Sequence, residues 1–246
     1  MTLIFVFQIL FSVLSAEARG VLLLTFDDRH FDSWTNAIPI FSNYNAHATF
    51  FPCGTLNEDD LIKLADLKKN GHSVGLHSVG HKKVPPSFNR ILGNWRFYRS
   101  EILPLMNALR GIGIKPKSFS YPYNDCNNET DEFLSRWYSR YRSAHLNGYA
   151  TNGVSIVSYP NVFIPADKIN DTKNFKGVGI GKYYHTNIDD ICAGITHAAT
   201  NGLVLCLFSH GIYEDAANVD MDVRWLRKIL RTATENDMAI KGFDEL

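Results

Sequence analysis

The chain has 246 residues, of which 45% are hydrophobic and 13% aromatic, enough apolar surface for one domain with a full core and too much for a disordered chain. Lys plus Arg and Asp plus Glu number 25 each, a formal net charge of zero. That balance gives no reason to expect nucleic acid or an anionic membrane surface as a partner, and it suits a neutral substrate such as an uncharged polysaccharide.

Residues 1–18 stand apart from the rest. Leu3 to Ser15 is almost wholly apolar, and Ala16 and Ala18 put small residues at the two positions that determine cleavage. This reads as a secretory signal peptide cut after Ala18, although no Lys or Arg precedes the apolar run. The run is too short for a comfortable membrane span. The expectation is a chain that is secreted, periplasmic or at the cell surface, with residues 19–246 as one domain and no stable membrane insertion.

Short apolar runs bounded by turn residues then follow as candidate strands: Val21–Phe26, Ala48–Phe51, Ser73–Leu76, Lys117–Tyr121 and Leu203–Phe208. Helical patterns lie between them. Glu58–Asn70 carries Leu61, Leu64, Ala65 and Leu67 on one face, with Asn57 to cap it and Gly71 to end it. Asn187–Thr200 stops at Asn201-Gly202 in the same way, and Asp222–Thr234 places Val223, Leu226 and Leu230 at helical spacing. Residues 149–184 are rich in Gly, Asn, Lys and Tyr and are expected to hold long loops. The alternation predicts an α/β fold with a mostly parallel sheet, whose chemistry sits at the carboxyl ends of the strands. Four cysteines are too few for a disulfide scaffold. Cys206 falls in an apolar run, Cys192 in a helical pattern, and Cys53 and Cys126 both follow candidate strands, so a bridge between those two is left open.

Each strand of interest ends on a residue able to do chemistry. Asp27 and Asp28 close the first, and two adjacent carboxylates repel unless something positive sits beside them. His77 and His81 follow the third, a spacing that lets two imidazoles on one face of a helical turn reach one cation. Either signal alone is weak, since an Asp-Asp pair is more often a cap followed by a solvated acid. Together, two imidazoles and one carboxylate leave open positions on a zinc-like ion, the pattern of a catalytic site, and the second carboxylate is free to act as a base on water.

These residues carry a resemblance. Thr25-Phe26-Asp27-Asp28, Ala48–Phe51, the run Gly71-His72-Ser73-Val74-Gly75-Leu76-His77-Ser78-Val79-Gly80-His81, Pro122-Tyr123 and Leu207-Phe208-Ser209-His210 resemble, in order, the motifs of the polysaccharide deacetylase (NodB-homology) family of carbohydrate esterases. The resemblance implies a single-domain, distorted and incomplete (β/α) barrel of about seven parallel strands. It implies one divalent metal ion, zinc by preference, held by Asp28, His77 and His81. It makes Asp27 the general base and His210 the general acid, with the backbone N–H of Tyr123, after Pro122, helping the metal to stabilise an oxyanion. The implied substrate is an acetylated glycan, N-acetylglucosamine units first. An O-acetyl esterase of xylan type, an amidase for a small amide, and a catalytically decayed sugar-binding relative are the alternatives, the last disfavoured because both aspartates and all three histidines are present.

Three departures from the family pattern stand out. The arginine that usually opens the third motif, and pairs with the catalytic carboxylate, is Ser120 here. Arg29 takes the place of the glycine that usually follows Asp-Asp, and it either assumes that pairing or points to solvent. No Asp-x-x-Asp-Trp motif occurs; Arg136-Trp137 and Tyr141-Arg142-Ser143-Ala144 lie where it would fall, without the acids, which leaves His210 without a predicted orienting group. Among the remaining residues, His30 and His145 are candidates to line the cleft, and Trp34, Tyr183 and Tyr184 to stack against sugar rings, although aromatics so placed are more often core or loop anchors.

Overall fold

The computed structural model describes residues 20–85, 91–145 and 154–246. The proposed signal segment lies outside the described residues. The strands are β1 Val21–Asp28, β2 Thr49–Pro52, β3 Ser73–Val74, β4 Ser118–Ser120, β5 Arg140–Ala144, β6 Phe163–Pro165, β7 Asn174–Gly179, β8 Leu203–Ser209, β9 Ile212–Tyr213, β10 Met221–Asp222 and β11 Ala239–Lys241. The α-helices are α1 Phe31–Asn36, α2 Ile38–Ser42, α3 Glu58–Lys69, α4 Ile91–Phe97, α5 Leu103–Gly111, α6 Asn128–Leu134, α7 Ile188–Thr200 and α8 Val223–Glu235.

Seven strands pair in parallel in the order β3-β2-β1-β8-β7-β5-β4. One parallel bridge, Leu76 to Phe119, joins the two ends of that order and turns the sheet into a nearly closed barrel. The expected incomplete seven-stranded barrel is therefore the observed architecture. Its distortion has a visible cause. β1 meets β2 over Thr25–Asp28 but β11 over Val21–Leu23, and β8 meets β7 near its end but the antiparallel β6 near its start. The strands close around the carboxyl end and splay at the other.

The strands form because their side chains are apolar on both faces, as a sheet wrapped by helices requires. Leu22, Leu24, Phe26, Phe50, Leu205 and Leu207 are buried in the main cluster. Phe26 stacks on Phe50 at 5.4 Å, Phe41 packs edgewise against both rings, and Trp34 lies tilted against Phe50 at 5.1 Å. Gly75 follows β3 because a Cβ there would come within 2.3 Å of the Phe51 ring and 2.6 Å of Ser118 Oγ. Asn57 caps α3 in a reciprocal box with Asp60, an arrangement that contributes about 1 kcal/mol. Leu64 and Leu67 are the buried residues of the predicted face, with Leu61 and Ala65 at its margin. The predicted α7 and α8 are present within a residue of their expected ends, capped by Asn187 and Asp222. Residues 154–184 hold short 3-10 turns together with two strands, β6 and β7, that no apolar run announces.

Candidate active site

The carboxyl ends of β1, β3, β4 and β8 converge on one cleft of about 710 Å³, lined among others by Asp27, Asp28, His77, His81, Tyr123 and His210. The residues expected to act as metal ligands, base, acid and oxyanion donor all meet there, with Pro122 buried next to Tyr123, whereas His30, His145 and Trp34 do not line it.

Asp28 ends β1 in a left-handed conformation, φ 80°, which turns its carboxylate away from the strand direction; such backbone strain concentrates at functional sites. His77 and His81 do not lie on a helical turn, contrary to the spacing argument. They sit in a loop with Ser78 at φ 62° and His81 at φ 48°, and the two left-handed residues fold the second imidazole back onto the first, ring centroids 4.7 Å apart. Asp28 Oδ1 is 3.6 Å from Nε2 of each histidine. All three donor atoms lie within 4.8 Å of one another. Metal–ligand bonds of 2.0–2.2 Å in tetrahedral geometry would put neighbouring donors about 3.3–3.6 Å apart, so these residues fit one divalent cation.

The protonation states suit that use. His77 Nδ1–H donates to the Ser120 carbonyl at 2.8 Å, which leaves the Nε2 lone pair facing the cleft. Burial pushes the His77 imidazole down to about 4, so it is neutral near pH 7. Burial opposes ionisation of Asp28, but His77, His210 and His81 outweigh it and hold its carboxyl below the ordinary value.

Asp27 is buried, 2% exposed. Its Oδ2 accepts from Arg142 Nη2, while its Oδ1 has no hydrogen-bond partner among the described residues. Arg142, on β5, is itself buried. It also donates to Ser120 Oγ at 2.5 Å and to Asn124 Oδ1, and its guanidinium lies 4.3 Å from the centre of the Phe208 ring. Burial lowers it to about 10, so it remains a cation. The sequence reading did not single out Arg142 for this. The signal was an arginine inside an extended run in a chain that had lost the usual one at position 120.

Arg29 neither replaces that arginine nor points freely to solvent. It donates to Asp60 at 2.9 Å and to the carbonyls of Cys53 at 3.0 Å and Thr55 at 2.9 Å, a strut between the loop after β2 and the cap of α3. Of the two alternatives left open for Arg29, pairing with Asp27 does not occur, and its partly exposed side chain is held by Asp60, Cys53 and Thr55. Cys53 and Cys126 are both free thiols; Cys53 donates to Asp28 Oδ1 at 3.7 Å, and burial pushes its thiol up to about 12.

His210 is held by a group the sequence could not display. Its Nδ1–H donates to the Val219 carbonyl at 3.3 Å, and its own carbonyl accepts from Trp34 Nε1 at 2.8 Å. Nε2 then faces Asp28 Oδ2 at 3.8 Å, and burial keeps the imidazole down at about 4. Trp34 is thus a core residue and not a sugar platform. The exposed aromatics at the cleft are Tyr123 and Tyr183, with Lys83 paired to Asp125 at 2.9 Å beside Tyr123. His30 bonds to Tyr213 at 3.0 Å.

The sequence signature of the polysaccharide deacetylase family matches residues 15–141, just over half of the chain. The chain belongs to the polysaccharide deacetylase family. Solved structures agree on the fold. The chain is similar to a chitin deacetylase from the fungal pathogen Colletotrichum lindemuthianum at 17% identity and a TM-score of 0.61, over 94% of this chain and 88% of that one. It is similar to the Xyl-CE4 domain of a multidomain xylanase from the hindgut metagenome of Trinervitermes trinervoides at 17% identity and a TM-score of 0.59, covering 92% and 88%. A peptidoglycan deacetylase of Bacillus subtilis matches at 19% identity and a TM-score of 0.56, covering 92% and 89%. A comparison with curated protein sequences found no match. No helix among the described residues is long and apolar enough to cross a membrane.

Proposed function

We propose that this family member hydrolyses acetyl groups on a glycan, N-acetylglucosamine units first, with Asp28, His77 and His81 holding one divalent ion, zinc by preference. The observation that carries this reading is the donor triad beside buried Asp27, whose Oδ2 lies 4.0 Å from His77 Nε2 and whose Oδ1 has no partner among the described residues. A divalent cation at the triad would supply Lewis acidity, polarising an acetyl carbonyl and acidifying water nearby.

The chain's own residues account for the remaining roles. Asp27 Oδ1 is the atom that takes a proton from the attacking water, and Arg142 on Oδ2 gives the carboxylate a counter-charge and an orientation. The backbone N–H of Tyr123 is the protein donor for the developing oxyanion, fixed by the left-handed turn that Tyr123 adopts after β4. Val219 occupies Nδ1–H of His210, so in the neutral ring Nε2 carries a lone pair; it takes up a proton from cleft water and then passes that proton to the departing amine. The cleft walls, with Tyr123 and Tyr183 exposed at its mouth, offer sugar rings an apolar face.

One observation favours O-acetyl esters as the second reading. A backbone carbonyl, not a carboxylate, orients His210, and a carbonyl stabilises an imidazolium less than an anion would. An alkoxide leaving from an ester needs that proton less than an amine does. Export of the protein, by way of residues 1–18, belongs to the same reading and is checked by N-terminal sequencing of the extracellular chain, with Arg19 as the expected first residue.

Acetate release should be measured on a panel of N-acetylated and O-acetylated glycans, after chelation and after adding back Zn²⁺ or other divalent ions. Metal-restored release from at least one glycan is expected. No release from any member of the panel with any metal would overturn the reading.

A further inference from the structure

We infer that Arg142 is the positioning residue for Asp27, and that the position it occupies and Ser120 form an exchangeable pair: the charge that serves this carboxylate has moved one strand along the barrel. The inference rests on the deacetylase reading for its activity measurement, but not for the pairing itself.

Ser120 and Arg142 are registered partners across the parallel β4–β5 pair, so their side chains leave the sheet on the same side, about 5 Å apart at the backbone. An arginine side chain reaches farther than that, so either position can deliver a guanidinium to the same place. The space is shaped for one such group only. Ser120 is fully buried and its hydroxyl accepts from Arg142 Nη2 at 2.5 Å; any larger side chain there would fill the volume that the guanidinium occupies. On the far side, Gly177 of β7 leaves room for the arginine stem, since a Cβ at that position would come within 3.3 Å of Arg142 Cδ and 2.9 Å of the Phe208 ring. Phe208 covers the guanidinium face, and Asn124 takes a second donor. Small residues thus stand on both flanks of one buried cation, and that cation faces one oxygen of Asp27.

The two oxygens of Asp27 then have separate duties. Oδ2 is committed to the guanidinium, which leaves Oδ1 as the oxygen with no partner among the described residues. Loss of Arg142 would leave a buried carboxylate without its counter-charge, and such a group turns, protonates or draws in water.

The test is a reciprocal exchange. Arg142→Ser should lower kcat roughly 10²-fold with little change in KM, the signature of a misdirected base rather than a lost binding contact. Ser120→Arg alone should also lose activity, because two guanidinium groups cannot share the space. The double variant Ser120→Arg, Arg142→Ser should recover about tenfold or more over the weaker single variant, a recovery that two independent packing defects would not give. A double variant no better than the weaker single overturns the inference. Thermal melting provides the second measurement, in the metal-free protein. Arg142→Ser should lower the melting temperature clearly less in an Asp27→Asn background than in the parent, whereas equal drops in both backgrounds would overturn the pairing. If the parent releases acetate from nothing, the deacetylase reading fails, and the melting cycle alone decides between pairing and its absence. If a single variant does not fold, the melting of the exchanged double variant against the parent decides: a folded double supports the pair, an unfolded one overturns it.

Discussion

The two sides of the barrel have been read into the molecule in different ways. On the side formed by β1, β2, β3 and β8, the sequence carries its motifs with one departure, Arg29 after Asp27-Asp28, and Asp28, His77, His81 and His210 stand at the strand ends they were expected to occupy. On the side formed by β4, β5 and β7, one motif has lost its arginine, another is missing, and the charge comes from Arg142 instead. The difference follows from what each side must hold. A metal ligand works only within a few tenths of an ångström and along a defined direction. A buried counter-charge on a long side chain works from any nearby Cα that can reach, so a neighbouring strand can supply it. Exact motifs mark the geometry-limited half, and reach-limited partners escape motif reading.

The largest expected effect breaks the first side. His77→Ala or His81→Ala should abolish stoichiometric binding of one divalent ion per chain while the domain stays folded, because an open site contributes less to the fold than a closed structural one. Elemental analysis and circular dichroism of the purified variants check this, and full metal occupancy in both would end the ligand assignment.

Next comes the contrast between base and acid. Asp27→Asn should retain the ion and lose roughly 10²–10⁴ in turnover on amides and esters alike. His210→Ala should lose comparably on an acetamide but keep measurable activity on an activated aryl acetate, whose leaving group needs no proton. Equal losses on both substrates for both variants would show that the two roles have been divided wrongly.

A smaller effect tests the core behind the motif side. His72, 1% exposed and packed against Phe41 and Phe50, accepts from the Ala48 amide at 3.1 Å, and burial lowers its imidazole from 6.5 to about 4. The unfolded chain therefore binds this proton between those values and the native chain does not. The contribution of a neutral His72 is complete above pH 6.5 and is lost as the pH falls toward 4, about 2 kcal/mol of it by pH 5. Denaturant unfolding of His72→Asn and the parent at pH 7 and pH 5 should show a flatter pH response in the variant; identical slopes would contradict it.

The smallest effect belongs to Arg29. Its pair with Asp60 is partly exposed, with 40% of the arginine side chain accessible. Arg29→Ala should therefore cost about 1 kcal/mol of stability or less and leave turnover within a few-fold of the parent. A large loss of turnover with normal stability would return Arg29 to the site.

How much of this was legible follows from the same contrast. β1, β2, β3, β4 and β8 could be read because each is a short apolar run ending in a turn residue, and α3, α7 and α8 because a cap, a spaced apolar face and a Gly or Asn stop coincide. β5 and β7 could not. Arg140–Ala144 is polar in composition because it buries an ion pair, and Asn174–Gly179 contains two glycines and a lysine, so neither presents an apolar run. The meeting of His77 and His81 was legible while its geometry was not, because left-handed Ser78 and His81 carry no glycine to announce them. The partner of His210 is the backbone carbonyl of Val219, and a carbonyl has no letter.

The single bridge that closes the barrel has a mechanical consequence. Between β3 and β4 the strands are joined by Leu76 N–H to the Ser118 carbonyl at 3.1 Å and Ser120 N–H to the Leu76 carbonyl at 2.8 Å, and His77 Nδ1–H crosses the same line to the Ser120 carbonyl. The ring that offers Nε2 to a cation is therefore also a rivet in the thinnest part of the wall. At the proposed metal site, loading an ion would fix which nitrogen carries the proton and so tighten the rivet. The wall should breathe less when the ion is bound: hydrogen–deuterium exchange at the Leu76 and Ser120 amides should slow on adding Zn²⁺ to the chelated protein, while the Phe26 amide, deep in β1, stays as it was. Unchanged exchange at both would mean that the closure of the barrel is indifferent to its metal.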